Sequence, residues 1–565
     1  MRVFLIILLF FFYQNYSQKI NLNNHELIKK LRIDELAGDV EHNSSLTILP
    51  LNFDNIADNN KSFEKNIFSP FILRSKSDKF FLKLLPVDYS LEYNTKHPYP
   101  SNNGAMIPNV GYQHLISFGF FGKVGPINFQ FKPEHQFSEN KKFSGFWLGH
   151  DGPTWVNRYK LWNHIDLPER FGNKRHNNLL LGQSSLGIDF LSFSFGFSNE
   201  NLWWGPGINN SILMSNNSRG FHHLYFKTIS PIKTKIGNFE WYLLSAKLKS
   251  SGFTPPGAEK QYPENVFLYR KKINQIGRSD DWRYLQALIM TYSPSFVKGL
   301  SLGFIRTSQM YSALVEGKYT WMNGSPTYFP VFANLFRKND QFTDYEDQID
   351  ESAGLFFRWV MKDSKAEIYG EYNFHDAKWN LRDLLVNPEH ARAYTIGLQK
   401  VFKKSNYNLV FNWEWTQLEQ SPSRIIRNAG SWYRHSFVYD GYTNFGEVLG
   451  FKVGPGSNSQ NLSISYIKDF KTIGFNFEFF ARDNDFFHMA FESSSDFRRY
   501  WKDYNFQINY NNKFNNIYIS SKLIYQNSLN YQWELLENSS SYYQKGNDLA
   551  NIFLSIKLSY FIPLN

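Results

Sequence analysis

Short segments in which apolar and polar residues alternate run through this chain from about residue 79 to its last strand. Near the end, Leu554, Ile556 and Leu558 alternate with Ser555 and Lys557. A β-strand points successive side chains to opposite faces, so each segment has one apolar and one polar face. In a soluble sandwich the apolar faces meet inside, whereas in an outer-membrane barrel they face lipid and leave a polar lumen.

The first residues predict export from the cytoplasm. Arg2 precedes an apolar stretch over residues 3–13, and the small residue Ser17 offers a cleavage site before Gln18. We therefore expect a cleaved signal peptide over residues 1–17, too short for a membrane-spanning helix of roughly 20 residues. The 565-residue chain contains no cysteine, which excludes a lipoprotein anchor, disulfides and thiolate metal sites. No metal and no cofactor is predicted.

The remaining chain predicts an all-β fold preceded by a short N-terminal segment. Residues 18–78 predict a periplasmic segment, helical over residues 21–40 with Gly38 able to end the helix, and otherwise irregular. Residues 79–565 predict a transmembrane antiparallel β-barrel of about eighteen strands. Aromatic residues form 18% of the chain, which favours lipid contact because barrels carry Tyr and Trp at both membrane interfaces. We expect a monomer in the outer membrane, inserted there by barrel-assembly machinery.

Long gaps between the strands predict outer loops or lumen plugs, and the alternation places several charges inside. Arg358 and Lys362 share the polar face of one strand. With Glu478 and Arg482 they would line a lumen that holds a charge network rather than a wide water channel. The predicted loops are residues 138–177, 250–280, 310–350, 419–458 and 528–547.

The net charge of +11 limits the class of partner. Basic proteins suit nucleic acid, anionic lipid or acidic polymers, and export argues against nucleic acid. We therefore expect an anionic surface polysaccharide as the partner, together with outer-membrane lipid and lipopolysaccharide. A basic surface that merely faces solvent remains the alternative.

The most distinctive local motif runs from Trp203 to Ser211 (WWGPGINNS) and is followed by residues 215–220 (SNNSRG). Tryptophan rings beside amide and hydroxyl groups suit sugar recognition, because the ring covers a pyranose face and the polar groups bond its hydroxyls. The alternative is a rigid plug or turn whose tryptophans anchor it. The candidate binding residues in this motif are Trp203, Trp204, Asn209, Asn216 and Arg219.

The predicted loop over residues 419–458 adds Arg424, Arg427, Arg434 and Tyr442 as candidates. Arginine forks bind the carboxylates of uronic-acid polymers, although the same arginines could pair with acids of their own loop. Elsewhere, acids and histidines such as His488 occur without a nucleophile or an oxyanion motif. We therefore expect no catalytic residues and no enzymatic activity.

Three blocks of the sequence resemble the Wzi family of capsule-assembly outer-membrane proteins. They are the Trp203–Ser211 motif with its Ser-Asn-Asn sequel, residues 367–376 (EIYGEYNFHD), and residues 440–460 with their paired glycines. The resemblance covers about residues 180–470. It implies a barrel of about eighteen strands with helical material on the periplasmic side, acting as a lectin that attaches capsular or other surface polysaccharide to the cell.

The sequence thus predicts a barrel lectin that binds surface polysaccharide and attaches or assembles it on the cell surface without catalysis. Many weak contacts along one polymer would add avidity. The alternative is a passive channel, or a structural outer-membrane barrel that serves a secretion or motility apparatus.

Overall fold

The computed structural model of the chain describes most of the residues after position 18. The predicted signal peptide over residues 1–17 and the two candidates Arg424 and Arg427 lie outside the described residues. The described ranges are 19–20, 22, 25–42, 44–52, 71–76, 79–253, 282–316, 321–322, 325–326, 329–332, 349–375, 381–420, 429–491, 497–536 and 545–563.

The predicted antiparallel barrel of eighteen strands is confirmed, since each wall strand pairs with the next and the last pairs with the first. The wall strands are β1 (Phe80–Asn94), β2 (Gly111–Val124), β3 (Ile127–Phe131 and Glu134–Ser138), β4 (His176–Leu180 and Ser185–Phe190), β5 (Phe193–Ser198), β6 (His223–Thr228), β7 (Gly237–Leu248), β8 (Arg283–Pro294), β9 (Leu300–Tyr311), β10 (Asp350–Met361), β11 (Ala366–His375), β12 (Arg392–Lys403), β13 (Asn408–Gln417), β14 (Asn458–Lys468), β15 (Lys471–Ala481), β16 (Lys502–Phe514), β17 (Ile517–Leu529) and β18 (Leu549–Tyr560).

Two wall strands are broken where the alternation predicted continuous ones. β3 is interrupted at Lys132 and Pro133, because proline has no N–H to give to the ladder. The opposite break in β4 contains Gly182, whose φ of +57° favours glycine. A Cβ at Gly182 would also lie 2.5 Å from the carbonyl oxygen of Lys132, so the two breaks fit together.

Short pairings and helices complete the described structure. The smaller strands are Phe71–Arg74, which extends the wall beside β1, Ile232–Lys233 beside β7, and the pairs Lys19–Ile20 with Leu51–Asn52, Ile48–Leu49 with Trp203–Trp204, Trp321–Met322 with Ser325–Pro326, and Thr443–Asn444 with Glu447–Val448. The helices are α1 (His25–Ala37), α2 (Gly152–Trp162), α3 (Ser312–Glu316), α4 (Leu381–Val386) and α5 (Asn484–Phe491), with 3-10 turns at Pro330–Phe332, Phe497–Arg499 and Tyr531–Trp533. Within the described ranges, each of these helices is too short or too polar to cross a membrane.

The wall has an apolar exterior and a polar interior, as the alternation predicts. On β15, Ile473 and Phe475 point outward and are about half exposed, whereas Asn476 and Glu478 point inward and are buried. Short turns join the strands at one end and long loops at the other, which places the short turns in the periplasm. The apolar band is therefore the surface that faces lipid.

Helix α1 extends into the barrel from the periplasmic end. Its residues Ile33 and Leu36 pack against inward-facing valines of β10, β12 and β13. A polar cavity of about 180 Å³ remains between α1 and the wall formed by β13 to β18. The helix thus fills much of the lower lumen instead of lying below the barrel.

Buried ion pairs hold α1 to the wall. The guanidinium of Arg358 on β10 donates to Glu35 of α1 and to Glu367 of β11, each at 2.7 Å. Arg32 of α1 also contacts Glu367, at 2.5 Å, and donates to the carbonyl oxygen of Pro206 at 2.6 Å. The predicted inward charge network is present, and it joins the helix, the wall and the Trp203–Ser211 motif.

The placement of the four predicted lumen charges needs one correction. Glu478 accepts bonds from Lys452 and Asn461 inside the barrel, and Arg482 donates to Asp503 at its outer end. Lys362 lies instead at the periplasmic mouth, where its side chain is 58% exposed and 3.6 Å from Glu41. The prediction for Lys362 is wrong because β10 ends at Met361, one residue before Lys362, and the alternation of inward and outward faces ends with the strand.

Candidate functional site

Residues 199–222, here called the inner loop, connect β5 to β6 and fold back into the barrel. Its Trp203 and Trp204 pair with Leu49 and Ile48 of the N-terminal segment. The two indoles are 1% and 0% exposed, and the indole N–H of Trp203 donates to the carbonyl oxygen of Gly207 at 3.2 Å. The inner loop thus meets the N-terminal segment inside the lumen, and together they obstruct it.

Inward-facing glutamates of the wall hold the backbone of the inner loop. Glu414 of β13 accepts the N–H groups of Ile208 and Asn209 at 2.7 and 3.1 Å, and Glu371 of β11 accepts the N–H of Ile212 at 3.2 Å. Buried N–H groups need such partners because unpaired ones are costly. The Gly-Pro-Gly turn is therefore held rigidly within the barrel.

Residues 429–457, here called the cap loop, cover the inner loop from the outer side. The Tyr433 hydroxyl donates to the carbonyl oxygen of Ile212 at 2.6 Å, and the Ser215 hydroxyl donates to that of Gly450 at 2.5 Å. The Ser218 hydroxyl donates to the carbonyl oxygen of Asn444 at 2.9 Å. The three sequence blocks that suggested the family, at residues 203–211, 367–376 and 440–460, therefore meet in one place.

Ten large aromatic residues from three outer loops form one buried cluster above the wall. The loops connect β3 to β4, β15 to β16, and β17 to β18. We call this group the outer aromatic cluster; its members are Phe146, Trp155, Tyr159, Trp162, Phe486, Phe487, Phe491, Trp501, Tyr531 and Trp533. The cluster fixes these loops to one another and gives the molecule a rigid outer surface.

Two buried arginines of the outer loops, Arg158 and Arg434, are paired with acids. Arg158 of α2 lies among four rings of the outer aromatic cluster and donates to Glu169 at 3.0 Å. Arg434 of the cap loop donates to Asp483 at 2.6 Å. Of the two possibilities left open for Arg434, the structure shows pairing with an acid, although that acid belongs to the next outer loop.

Asp485 of α5 joins the cap loop to the outer aromatic cluster. Its carboxylate accepts the Ser431 hydroxyl and the N–H of Gln420, both at 2.7 Å. Burial raises the pKa of Asp485 to about 6, with the nearby charge of Asp483 adding to the rise and that of Arg434 opposing it. The carboxyl group therefore binds a proton more tightly in the folded loop than in the unfolded chain.

The junction around Asp485 should weaken as the pH rises from about 4 to 7. The pKa of Asp485 is higher in the folded state than in the unfolded state. The stabilisation is therefore fully present below the unfolded-state pKa and is lost as the pH rises through the folded-state pKa. The free energy of unfolding falls by up to about 3 kcal/mol over this range. Thermal transitions followed by intrinsic tryptophan fluorescence should then occur at a higher temperature at pH 5 than at pH 7. Asp485→Asn should remove most of this difference, and an unchanged difference would contradict the assignment.

The described candidates from the sequence lie mainly beneath the outer surface. Asn209 and Asn216 both contact Asn102 through hydrogen bonds, and Tyr442 is buried against the ring of Tyr433. Arg219 lies over the ring of Phe445. Together with Trp203, Trp204 and Arg434, these residues support the inner and cap loops, and direct contact with a polysaccharide stays a prediction for them.

Arg219 and Glu447 lie close enough within these loops for the charge of each to influence the other. Burial lowers the pKa of Arg219 to about 10, an effect that the charge of Glu447 opposes. Burial likewise raises the pKa of Glu447 well above its usual range, against the charge of Arg219. Neither group is therefore placed as a free surface charge for a ligand.

Trp147 is an exposed aromatic that the motif analysis missed. Its side chain is 37% exposed, and its ring packs edge-on against His150 at 5.1 Å, directly beside the outer aromatic cluster. Lys142, Lys174 and Arg175 of the same loop are exposed. The signal available in the sequence was the apolar triplet Phe-Trp-Leu before Gly149, inside a predicted outer loop where apolar residues are unexpected.

Comparisons with known proteins agree with this architecture. The family model described as capsule assembly protein Wzi matches residues 112–502. The chain is similar to the solved structure of Escherichia coli Wzi, a carbohydrate-binding outer-membrane barrel involved in group 1 capsule assembly, with a TM-score of 0.58 and 12% identity over 96% of this chain and 99% of that one. Curated protein sequences give no match.

Two further solved structures match more weakly. Pseudomonas aeruginosa OprD gives a TM-score of 0.36 at 8% identity over 85% of this chain and 94% of that one. Acinetobacter baumannii OccAB2 gives a TM-score of 0.37 at 8% identity over 84% of this chain and 97% of that one. The family match covers more than half of the 565 residues, and the blocks that carry the resemblance converge inside one barrel. The chain therefore belongs to the capsule assembly protein Wzi family.

Proposed function

We propose that this barrel binds an anionic surface polysaccharide on its outer face and thereby attaches or assembles the polymer on the cell surface without catalysis. The observation that carries the proposal is the obstruction of the lumen by its own chain. Helix α1 fills the lower part, and the inner loop, held by Glu371 and Glu414, fills the part above. A passive channel would need a continuous water path through these same positions.

The outer loop between β3 and β4 offers the chemistry that such a polymer requires. Trp147 presents an exposed ring face for a pyranose, and Lys142, Lys174 and Arg175 present exposed cations for uronate or phosphate groups. The outer aromatic cluster holds this loop rigidly, so little conformational entropy is lost when a ligand binds. Arg424 and Arg427 remain proposed contacts from sequence alone.

Trp147→Ala should weaken binding of the cell's own surface polysaccharide to the refolded barrel by about threefold to tenfold per site, the usual range for loss of one ring contact. The effect should grow with polymer length, because repeated weak contacts multiply. Binding is measured by pulling down purified polymer with immobilised barrel. The matched control is Trp359→Ala, which removes an indole of similar exposure, 41% against 37%, from the lipid-facing wall. Equal binding by both variants would contradict the assignment.

A further inference from the structure

The short periplasmic turns carry many lysines and few acids. The short turns between β6 and β17 contain two acids, Asp363 and Asp469, and Glu367 follows at the start of β11. We call the lysines of these turns the lysine rim. They are Lys233, Lys235, Lys298, Lys362, Lys365, Lys403, Lys404, Lys468, Lys471 and Lys513.

The rim lies at the border between the apolar band and water. Exposed apolar side chains stand within two residues of rim lysines, as Ile236 does beside Lys235 and Phe296 beside Lys298. Lysines that face outward in this position direct their ammonium groups toward lipid head groups while their stems cover apolar surface. Lys362 and Lys403 differ, because they lie against Glu41 and Asp39 of the N-terminal segment. The turns are too short to extend beyond the head groups, so a lipid fits this rim better than a periplasmic protein does.

One hairpin concentrates this charge. The two-residue turn after β14 places Lys468 directly opposite Lys471, and both point outward beside the apolar band. Like charges in this arrangement repel each other unless an anion lies between them. Within the described residues, neither ammonium group forms an ion pair with a carboxylate, not even with that of Asp469 in the same turn. The ring of Phe470 in the same turn is engaged elsewhere, between Lys30 and Lys513.

The neighbouring turn adds a third lysine beside this pair. Lys404 and Tyr407 of the turn between β12 and β13 line the same groove as Lys468, and this groove has a volume of about 860 Å³. Asp34 and Asp39 also line the groove, where they pair with Lys30 at 2.7 Å and with Lys403 at 2.5 Å. Lys471 lies beside the groove, opposite Lys468. The rings of Tyr407 and Tyr466 stack with centroids 5.0 Å apart, which provides an apolar wall beside the three lysines. We propose that Lys404, Lys468 and Lys471 bind the phosphate of an anionic phospholipid in the periplasmic leaflet of the outer membrane. This inference concerns the opposite face from the polysaccharide site and does not depend on it.

The test uses the full chain in nanodiscs that contain phosphatidylethanolamine with or without phosphatidylglycerol. Lipids that stay bound after detergent extraction are identified by native mass spectrometry. We expect the unmodified chain to retain phosphatidylglycerol preferentially, and the preference to fall by about fivefold for each lysine in Lys404→Gln, Lys468→Gln and Lys471→Gln. Added salt should reduce it as well, because salt screens exposed charges.

The matched control replaces three exposed lysines of the outer loops, Lys96, Lys249 and Lys545, with glutamine. This control variant loses the same three positive charges as the rim variant, and it should retain the preference for phosphatidylglycerol. Equal retention of both lipids by the unmodified chain would overturn the proposal, and so would an equal loss in the two triple variants. The heat-dependent gel shift of folded barrels checks that each variant is assembled before its lipids are counted.

Discussion

Arg358→Met should lower the free energy of unfolding of the barrel by about 3–5 kcal/mol, the usual cost of removing one partner from a buried ion pair. Arg358 is 2% exposed and donates to Glu35, Glu367 and the carbonyl oxygen of Ser45. Methionine fills much of the same space but leaves the Glu35 carboxylate without its strongest partner. Urea titration of the refolded barrel in micelles measures the loss.

Two controls separate the buried pair from a general effect of charge. Lys362→Gln removes a cation at the end of the same strand, but its side chain is 58% exposed and its pair with Glu41 is 3.6 Å long, so about 0–1 kcal/mol is expected. The double variant Arg358→Met with Glu35→Gln should recover part of the loss, because no uncompensated carboxylate then remains on α1. If Arg358→Met costs no more than Lys362→Gln, the buried network does not hold the plug.

Gly450→Ala should separate the cap loop from the inner loop while leaving the wall intact. A Cβ at this position would lie 1.8 Å from the carbonyl oxygen of Ile212 and 2.7 Å from the Tyr433 hydroxyl. The nearest atom belongs to the backbone, so no side-chain rotation relieves the overlap, and we expect a cost of about 1–3 kcal/mol or more at this junction. Limited proteolysis should then cut the cap loop, and polysaccharide binding should fall.

Gly430→Ala is the matched control for this prediction. Gly430 lies in the same loop, and a Cβ there would meet no atom within 4 Å. This variant should resist protease and bind polymer as the unmodified chain does. The strand signal in circular dichroism should melt at the same temperature in both variants. A protease-resistant Gly450→Ala variant would show that the two loops do not depend on this contact.

The wall could be predicted from the sequence because its physical signal is local. Outward residues such as Ile473 and Phe475 and inward residues such as Asn476 differ in polarity over a few positions, and the period of two defines both faces. The breaks at Pro133 and Gly182 are also local. Each depends on a single residue, however, and the alternation on both sides of it is regular, so the pattern predicts an unbroken strand. The strand count was therefore correct, while two strand outlines were not.

The candidate site was harder to predict because its signals depend on distant contacts. The sequence motif around Trp203 and Trp204 is the same whether the rings face a sugar or fill a lumen. Ile48 and Leu49, with which the two residues pair, lie far away in the chain. Arg434 pairs with Asp483, an acid of another loop. Trp147 was visible only as an apolar residue in a polar region. The motifs thus predicted which segments come together inside the barrel, but not which residues reach its outer surface.

The pairing between β18 and β1 has a consequence for biogenesis. Phe553 to Tyr560 bond residues Val87 to Asn94, so the seam joins the strand made last to the one made first. Helix α1 emerges from the ribosome earlier still and ends up enclosed. The seam therefore cannot close before both β1 and β18 are present, which requires nearly the whole described chain. A prematurely terminated chain would keep two bare strand edges, which favours aggregation and removal by periplasmic proteases.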